Sequence, residues 1–397
     1  QQQQQPSTPF KSPVPLPSVP LLPYGHSEMP GWRVDMEDAV LHLYPLPPPL
    51  SAPSRSRQHP PVGIFGVFDG HGDAGTISSF VARTVPELLL ETDLWRSYAG
   101  GSEDLVSMLR TVCPIVDERL REAGLPGSES GAVDTASVVS VGVVGSTKPP
   151  TATGGTTGVI ALVGKREVVV GNIGDSRCII VQRNVNVSTA NTASSSEEAP
   201  KEKERSEVVQ KEDVTIVVKP MSFDHKPTTA CEHGRIVNAN GLVHMKRVDG
   251  DLAVSRGLGD FRFKGNGDLK AEHQKVSSSP DMLVNPRDPG SDEMIILACD
   301  GIWDVLSNQE CAKTVQGLLD EGETNVDMVC EEVLDICLEK DSRDNMTFCM
   351  IALPACKMMT EEQKTRSGKG GVAARREARE EKGVTPGQSR RARRAAA

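Results

Sequence analysis

The chain has no long apolar run. Nothing in it approaches the roughly 18 consecutive apolar residues that suggest a membrane-spanning helix, so no span is expected. It also lacks a CxxC pair, and its nine cysteines (Cys113, Cys178, Cys231, Cys299, Cys311, Cys330, Cys337, Cys349 and Cys356) are odd in number and scattered. That pattern argues against a disulfide framework. It reads as reduced packing thiols in an intracellular protein of the cytoplasm, the nucleus or both. There is no HExxH and no Cys/His cluster, which argues against zinc. No secretory signal is read ahead of the body. Only 37% of the 397 residues are hydrophobic, so a globular core diluted by polar segments is expected.

Charge is unevenly spread. From Lys357 onward there are 12 Lys+Arg and 5 Asp+Glu, a tail of +7 that leaves -17 on the rest of a chain whose net charge is -10. An acidic body argues against a nucleic-acid enzyme and suits a cation-binding site, although most such charges simply solvate a surface. Residues 1–23, five Gln followed by a Pro-rich run, are expected to be disordered. Residues 24–355 read as the folded domain. Within it, Pro45 to Pro61 reads as a loop between strands, and the polar segment 184–213 as an elongated, disordered hairpin loop. The basic tail 356–397 reads as disordered or weakly helical.

Strand-like runs cover 62–68, 157–164, 167–174, 177–183, 294–300 and 346–353, and helical periodicity covers 76–91, 104–124, 308–319 and 326–339. Strands that follow one another directly leave no room for crossover helices. The expected fold is therefore α+β, with mainly antiparallel sheets in layers.

Two apolar runs end alike, IFGVF in Asp69-Gly70-His71-Gly72 and MIILAC in Asp300-Gly301-Ile302-Trp303-Asp304. Either alone is equally a turn signal. More acids stand beside apolar runs: Glu37-Asp38, Asp175, Asp260 and Asp344-Asn345. Burying so many carboxylates is costly unless a hard cation such as Mg2+ or Mn2+ gathers them.

The ordered set GWRVDMEDAV, GVFDGHGDAG, GGTTGVIAL, GNIGDSR, FDHKP, DLAVSRGLGDFRFK, ACDGIWDV and SRDNMT resembles the protein phosphatase 2C family, the metal-dependent serine/threonine phosphatases. The resemblance runs from Tyr24 to Leu353 and implies a layered α-β-β-α sandwich of two antiparallel sheets flanked by helices. It implies two Mg2+ or Mn2+ ions. Asp69 would bridge them, the Gly70 carbonyl and Glu37 would serve one, and Asp300 and Asp344 the other. Asp38 matches an acid just behind the ligands, and Asn345 a residue orienting them. Asp175 and Asp304 match a third, weaker metal site. Arg33 matches the phosphate-binding arginine and His71 the general acid. Such a pair of metals lowers the pKa of a bridging water, whose hydroxide attacks phosphorus without a phosphoenzyme. The partners implied are phosphorylated proteins; a monomer that requires no nucleic acid is expected.

The sequence departs from the family pattern at Asp73, Asn240 and Gly257, none of them a ligand position. Phe261 to Ser279 matches the family's variable flap. Two competing readings exist. Cys113 to Arg119 has the C-x5-R spacing of cysteine-dependent phosphatases, but it lacks glycine and lies in a helical run. The other reading is a catalytically silent, phosphatase-fold binding or regulatory protein. That would require a lost carboxylate, and every ligand position is filled.

Overall fold

The structure, a computed structural model, describes residues 22–48, 60–124, 142–144, 154–187, 212–358 and 371–381. Most of the expected N-terminal segment, of the 184–213 loop and of the far C-terminal tail lies outside these residues, as does much of the Pro-rich loop after Pro45.

The first half of the chain forms β1 (Tyr24–Met29), β2 (Ala39–Leu43), β3 (Gly63–Phe68), β4 (Gly70–His71), α1 (Thr76–Glu91), α2 (Asp93–Ser97), α3 (Ser102–Ala123) and β5 (Gly142–Val144). Then come β6 (Gly155–Thr156), β7 (Gly158–Val163), β8 (Glu167–Ile173), β9 (Arg177–Val187), β10 (Glu212–Pro220), α4 (Ala230–Asn238), β11 (Val243–His244), β12 (Arg247–Val248) and β13 (Leu258–Gly259). The rest is β14 (Asp281–Pro286), β15 (Asp292–Ala298), α5 (Asp300–Trp303), α6 (Asn308–Asp320), α7 (Val326–Glu339), β16 (Met346–Ala352) and α8 (Gly371–Glu381).

Two antiparallel sheets result, ordered β1-β16-β15-β9-β10 and β14-β8-β7-β3-β2-β5. The central strands β3, β7, β8, β15 and β16 read as largely apolar runs because both faces of each sheet are covered there. In β15, Met294, Ile296 and Ala298 face α6 and α7, while Ile295 and Leu297 face the other sheet. In β3, Ile64 and Phe68 pack toward α1 and α3, while Phe65 and Val67 enter the layer between the sheets. The result is the α-β-β-α sandwich the sequence implied. No helix among the described residues is long and apolar enough to cross a membrane.

The strands bounding the 184–213 segment are longer than expected and pair in register out to Val187↔Glu212. Asn240, standing where the family favours glycine, has φ 59°, a left-handed conformation that asparagine tolerates better than most residues.

At 371–381 the tail is helical, the second of the two forms expected of it, and it is docked rather than solvated. There α8 docks on α6 and α7, with Val372 fully buried and its N–H donating to Glu323 Oε2 at 3.0 Å. Arg375 Nε bonds Glu321 Oε2 at 2.9 Å, and Arg376 Nη2 bonds Glu331 Oε2 at 2.9 Å. A basic composition conceals this, because one valine and two arginines find partners only after α6 and α7 have packed. Deleting 371–397 is expected to lower unfolding stability in urea by about 2 kcal/mol, mostly from re-exposing the apolar seat of Val372. Turnover of p-nitrophenyl phosphate should be unchanged, since none of the proposed site residues lies in the tail. Unchanged stability, or lost turnover, would contradict this.

Candidate active site

Strand pairing brings the acidic motifs to one rim. Antiparallel pairing of β2 and β3 sets Ala39 opposite Phe68, so Glu37-Asp38 enters where Asp69 leaves. Pairing of β15 with β16 sets Ala298 opposite Phe348, which puts Asp300 beside Asp344. Gly158 of β7 pairs with Ile173 of β8, so Asp175 emerges at the same end.

The glycines after Asp69 and Asp300 do more than turn the chain. A Cβ on Gly70 would lie 2.2 Å from the Glu37 carbonyl oxygen, and one on Gly301 would lie 2.0 Å from that of Asn345. Only glycine lets these loops approach, and their approach crowds the carboxylates. Asn345 locks the arrangement: its Oδ1 accepts from Glu37 N at 2.8 Å, and its Nδ2 donates to the carbonyls of Pro30 (3.1 Å) and Asp35 (3.0 Å).

The electrostatics follow from crowding. Burial, then the charges of Asp38, Asp300, Asp175 and Asp344, pushes Asp69 well above the usual carboxylate range. Burial, then Asp175, Asp304 and Asp344, raises Asp300 to about 7. Burial raises Asp38 to about 6 against the pull of a 2.7 Å bond from Thr347 Oγ1. Asp304 is raised as well, first by burial.

The residues fit a hard cation. Asp38 Oδ1 is buried without a hydrogen-bond partner, and Asp38, Asp69 and Cys299 bring ligand atoms within 4.8 Å of one another. Oxygen donors predominate, as Mg2+ and Mn2+ prefer. The Cys299 thiol is wholly buried, accepts from Thr347 N at 3.1 Å, and is raised well above its ordinary value by burial and the neighbouring acids.

Three of the expected site residues are held by neighbouring groups. Glu37 Oε1 accepts from the N–H groups of Gly72 (3.0 Å) and Ala74 (3.2 Å) and so shapes the loop after His71. Arg33 Nη2 bonds Asp344 Oδ2 at 2.7 Å, with its side chain half exposed. His71 Nε2 sits 2.9 and 3.0 Å from the two carboxylate oxygens of Asp260. Burial pulls its pKa down, but the bond and charge of Asp260, joined by Glu37 and Asp73, more than offset this and raise it above the ordinary histidine value.

Two neighbours carried no role in the sequence reading. Lys226 contacts buried Asp175; its only sequence signal was its place in FDHKP. Asp260 was read merely as an acid beside an apolar run. Cys113 is fully buried inside α3, and burial pushes its thiol up to about 12. It cannot serve as a phosphate-loop nucleophile, so the C-x5-R match is fortuitous.

Residues 22–346 match the protein phosphatase 2C family. The chain belongs to that family. It is 32% identical to the probable protein phosphatase 2C T23F11.1 of Caenorhabditis elegans, over 83% of this chain and 74% of that one. It is 31% identical to human protein phosphatase 1A, over 86% and 73% respectively. It is also 31% identical to protein phosphatase ppm-1.A of C. elegans, over 84% of this chain but only 59% of that protein's length. Among solved structures, a serine-threonine phosphatase 2C from Toxoplasma gondii shares the fold, with a TM-score of 0.56 at 22% identity over 86% of this chain and 98% of its own. The domain is thus that of a metal-dependent serine/threonine protein phosphatase, a phosphoric-ester hydrolase.

Proposed function

We propose that this protein phosphatase 2C domain hydrolyses phosphoserine and phosphothreonine in proteins by direct attack of water on phosphorus, with no phosphoenzyme. The observation that carries this reading is the convergence of Asp38, Asp69, Asp175, Asp300, Asp304 and Asp344 at one rim, where burial and mutual repulsion raise several of their pKa values. Such a cluster is in want of cations. Asp69, the Gly70 carbonyl, Glu37, Asp300 and Asp344 would hold two Mg2+ or Mn2+ ions, with Asp38 and Asn345 supporting them and Asp175 and Asp304 serving a weaker third. When bound, the ions supply Lewis-acid activation of the attacking water and positive charge for the phosphoryl oxygens.

The chain's own groups do the remainder. Arg33 exchanges Asp344 for two phosphoryl oxygens, which its planar fork suits better than a lysine would. Asn345 and Glu37 keep the loops at contact distance, so the acids need no rearrangement as charge develops. His71 donates a proton to the departing seryl or threonyl oxygen. No cysteine is available to form a phosphoenzyme at the centre, since Cys299 is buried and engaged. A catalytically silent binding protein would be supported by a missing carboxylate, and each position keeps its own. Nine unpaired cysteines support a reducing, intracellular setting.

The test is phosphate release from phosphoserine and phosphothreonine peptides. Millimolar Mg2+ or Mn2+ is expected to support turnover, and EDTA to abolish it, with recovery on adding metal back. Undiminished turnover after rigorous chelation would overturn the reading. Metal binding without any turnover would favour the silent alternative.

A further inference from the structure

We propose that Asp260 is the positioning residue for His71, and that Asp117 of α3, paired with buried Lys264, holds Asp260 in turn. This rests on the reading of His71 as the general acid.

The pair is assembled by the small sheet β13-β6-β4. His71 ends β4, and Asp260 directly follows β13. Between them runs β6, where Gly155 pairs with His71 on one side and Gly259 on the other. A Cβ on Gly155 would lie 2.1 Å from Asp260 Oδ2 and 3.0 Å from His71 Nε2. The missing side chain opens the space across which acid and imidazole meet. Asp260 is 3% exposed and adopts φ 50°, ψ 41°, a left-handed conformation that aspartate tolerates better than most residues and that its buried surroundings fix.

The surroundings that favour it come from Asp117 of α3 and from Lys264. Asp117 Oδ1 accepts from Gly259 N at 2.8 Å, immediately before Asp260. Lys264 Nζ donates to both Asp117 oxygens, at 2.9 and 2.8 Å, and to the Gly257 carbonyl at 2.8 Å. Both side chains are buried, and the Arg121 guanidinium lies 4.3 Å from the centre of the Phe261 ring. The clamp therefore grips the chain on both sides of Asp260. Asp260 N donates to the Gly154 carbonyl at 2.8 Å, which closes the loop onto β6.

The chemistry follows from which nitrogen is taken. A carboxylate on Nε2 fixes the ring's orientation and leaves Nδ1–H free to give its proton. As the phosphorus–oxygen bond breaks, that proton passes to the seryl or threonyl oxygen. The imidazole becomes neutral and takes a replacement from water. Without Asp260 the ring turns about its side-chain bonds, and the donor is misplaced.

The experiment compares kcat/KM on a phosphothreonine peptide with that on p-nitrophenyl phosphate, whose leaving group needs little protonation. The variants are His71→Gln, Asp260→Asn, their double, Gly155→Ala and Lys264→Met. Melting temperature and Mn2+ affinity are measured on each to confirm folding. Asp260→Asn is expected to lose at least about tenfold more on the peptide than on the small substrate, and the double variant to be no worse than His71→Gln alone. Gly155→Ala, which wedges the pair apart while keeping both members, and Lys264→Met should show the same split to a smaller degree.

If His71→Gln is selective while Asp260→Asn slows both substrates equally, the positioning role is overturned and the general-acid reading stands. If His71→Gln itself slows both equally, the general-acid reading falls and this proposal falls with it. Should Asp260→Asn fail to fold, an even loss in Gly155→Ala would overturn the role. An even loss in folded Lys264→Met would overturn the clamp.

Discussion

Asp69→Asn is expected to reduce turnover by roughly 10^3-fold or more while the metal-free protein becomes more stable. The first effect follows from removing a carboxylate that would hold the ions, on which preorganised charge stabilisation would depend. The second follows from the cluster itself. Asp69, Asp38 and Asp300 have pKa values raised above the unfolded carboxylate value, the last two to about 6 and about 7. Between those limits the folded state binds more protons than the unfolded state. Stability of the metal-free protein therefore falls as pH rises from about 4 toward about 7, by about 1.4 kcal/mol for each unit of raised pKa. Asparagine at 69 removes one of these groups and the repulsion it exerts on the others. Urea unfolding in EDTA at pH 5 and pH 7.5 should show a higher midpoint for the variant at the higher pH and a smaller difference between the two. A folded variant with wild-type turnover, or one less stable than wild type at pH 7.5, would contradict the assignment.

His71→Gln is expected to lose at least about 10^2-fold on phosphoserine peptides and only a few-fold on p-nitrophenyl phosphate. An alkoxide leaves poorly without a proton, whereas p-nitrophenolate spreads its charge over the ring. The sign of the pH effect is set by the environment. Burial opposes protonation, but Asp260, Glu37 and Asp73 raise the imidazole above its ordinary value, so the working, protonated form persists to higher pH than in an ordinary histidine. Peptide turnover should then decline on the alkaline side as His71 deprotonates, and the variant should lose that decline. Equal losses on both substrates at unchanged metal affinity would refute the role.

Local pattern located the elements well where the pattern was long. Helical periodicity over 76–91 and 326–339 matches α1 and α7 residue for residue, and the apolar runs ending in Asp69 and Asp300 are β3 and β15. Shorter elements escaped. The sequence YGHSEM of β1 carries no strand alternation, and it is a strand because it pairs with β16 along its whole length. Helix α4 gave no clear apolar stripe, since it is held by an ionic network. In that network Glu232 bonds Arg235 at 2.7 Å and Arg256 at 2.8 Å, and these contacts hold its carboxyl down at about 2 against burial. Helix α8 was expected at most as a weak helix, and its docking was hidden by its charge.

The site divides along the same line. An aspartate delivered at the end of a buried strand, with glycine next, is legible because only a few residues are involved. Its repetition with the other ordered motifs carried the family, the chemistry and the candidate ligands. Tertiary structure decided what those residues experience. Residues from Glu37 to Asp344 share one rim only after antiparallel pairing aligns the strand ends. The raised carboxylates, the Arg33–Asp344 bond, and the Asp260 carboxylate reaching His71 across Gly155 all arise from that closure. The physical reason is that a residue's type and spacing are local, whereas burial and the charge of a neighbour hundreds of positions away exist only once the chain has packed.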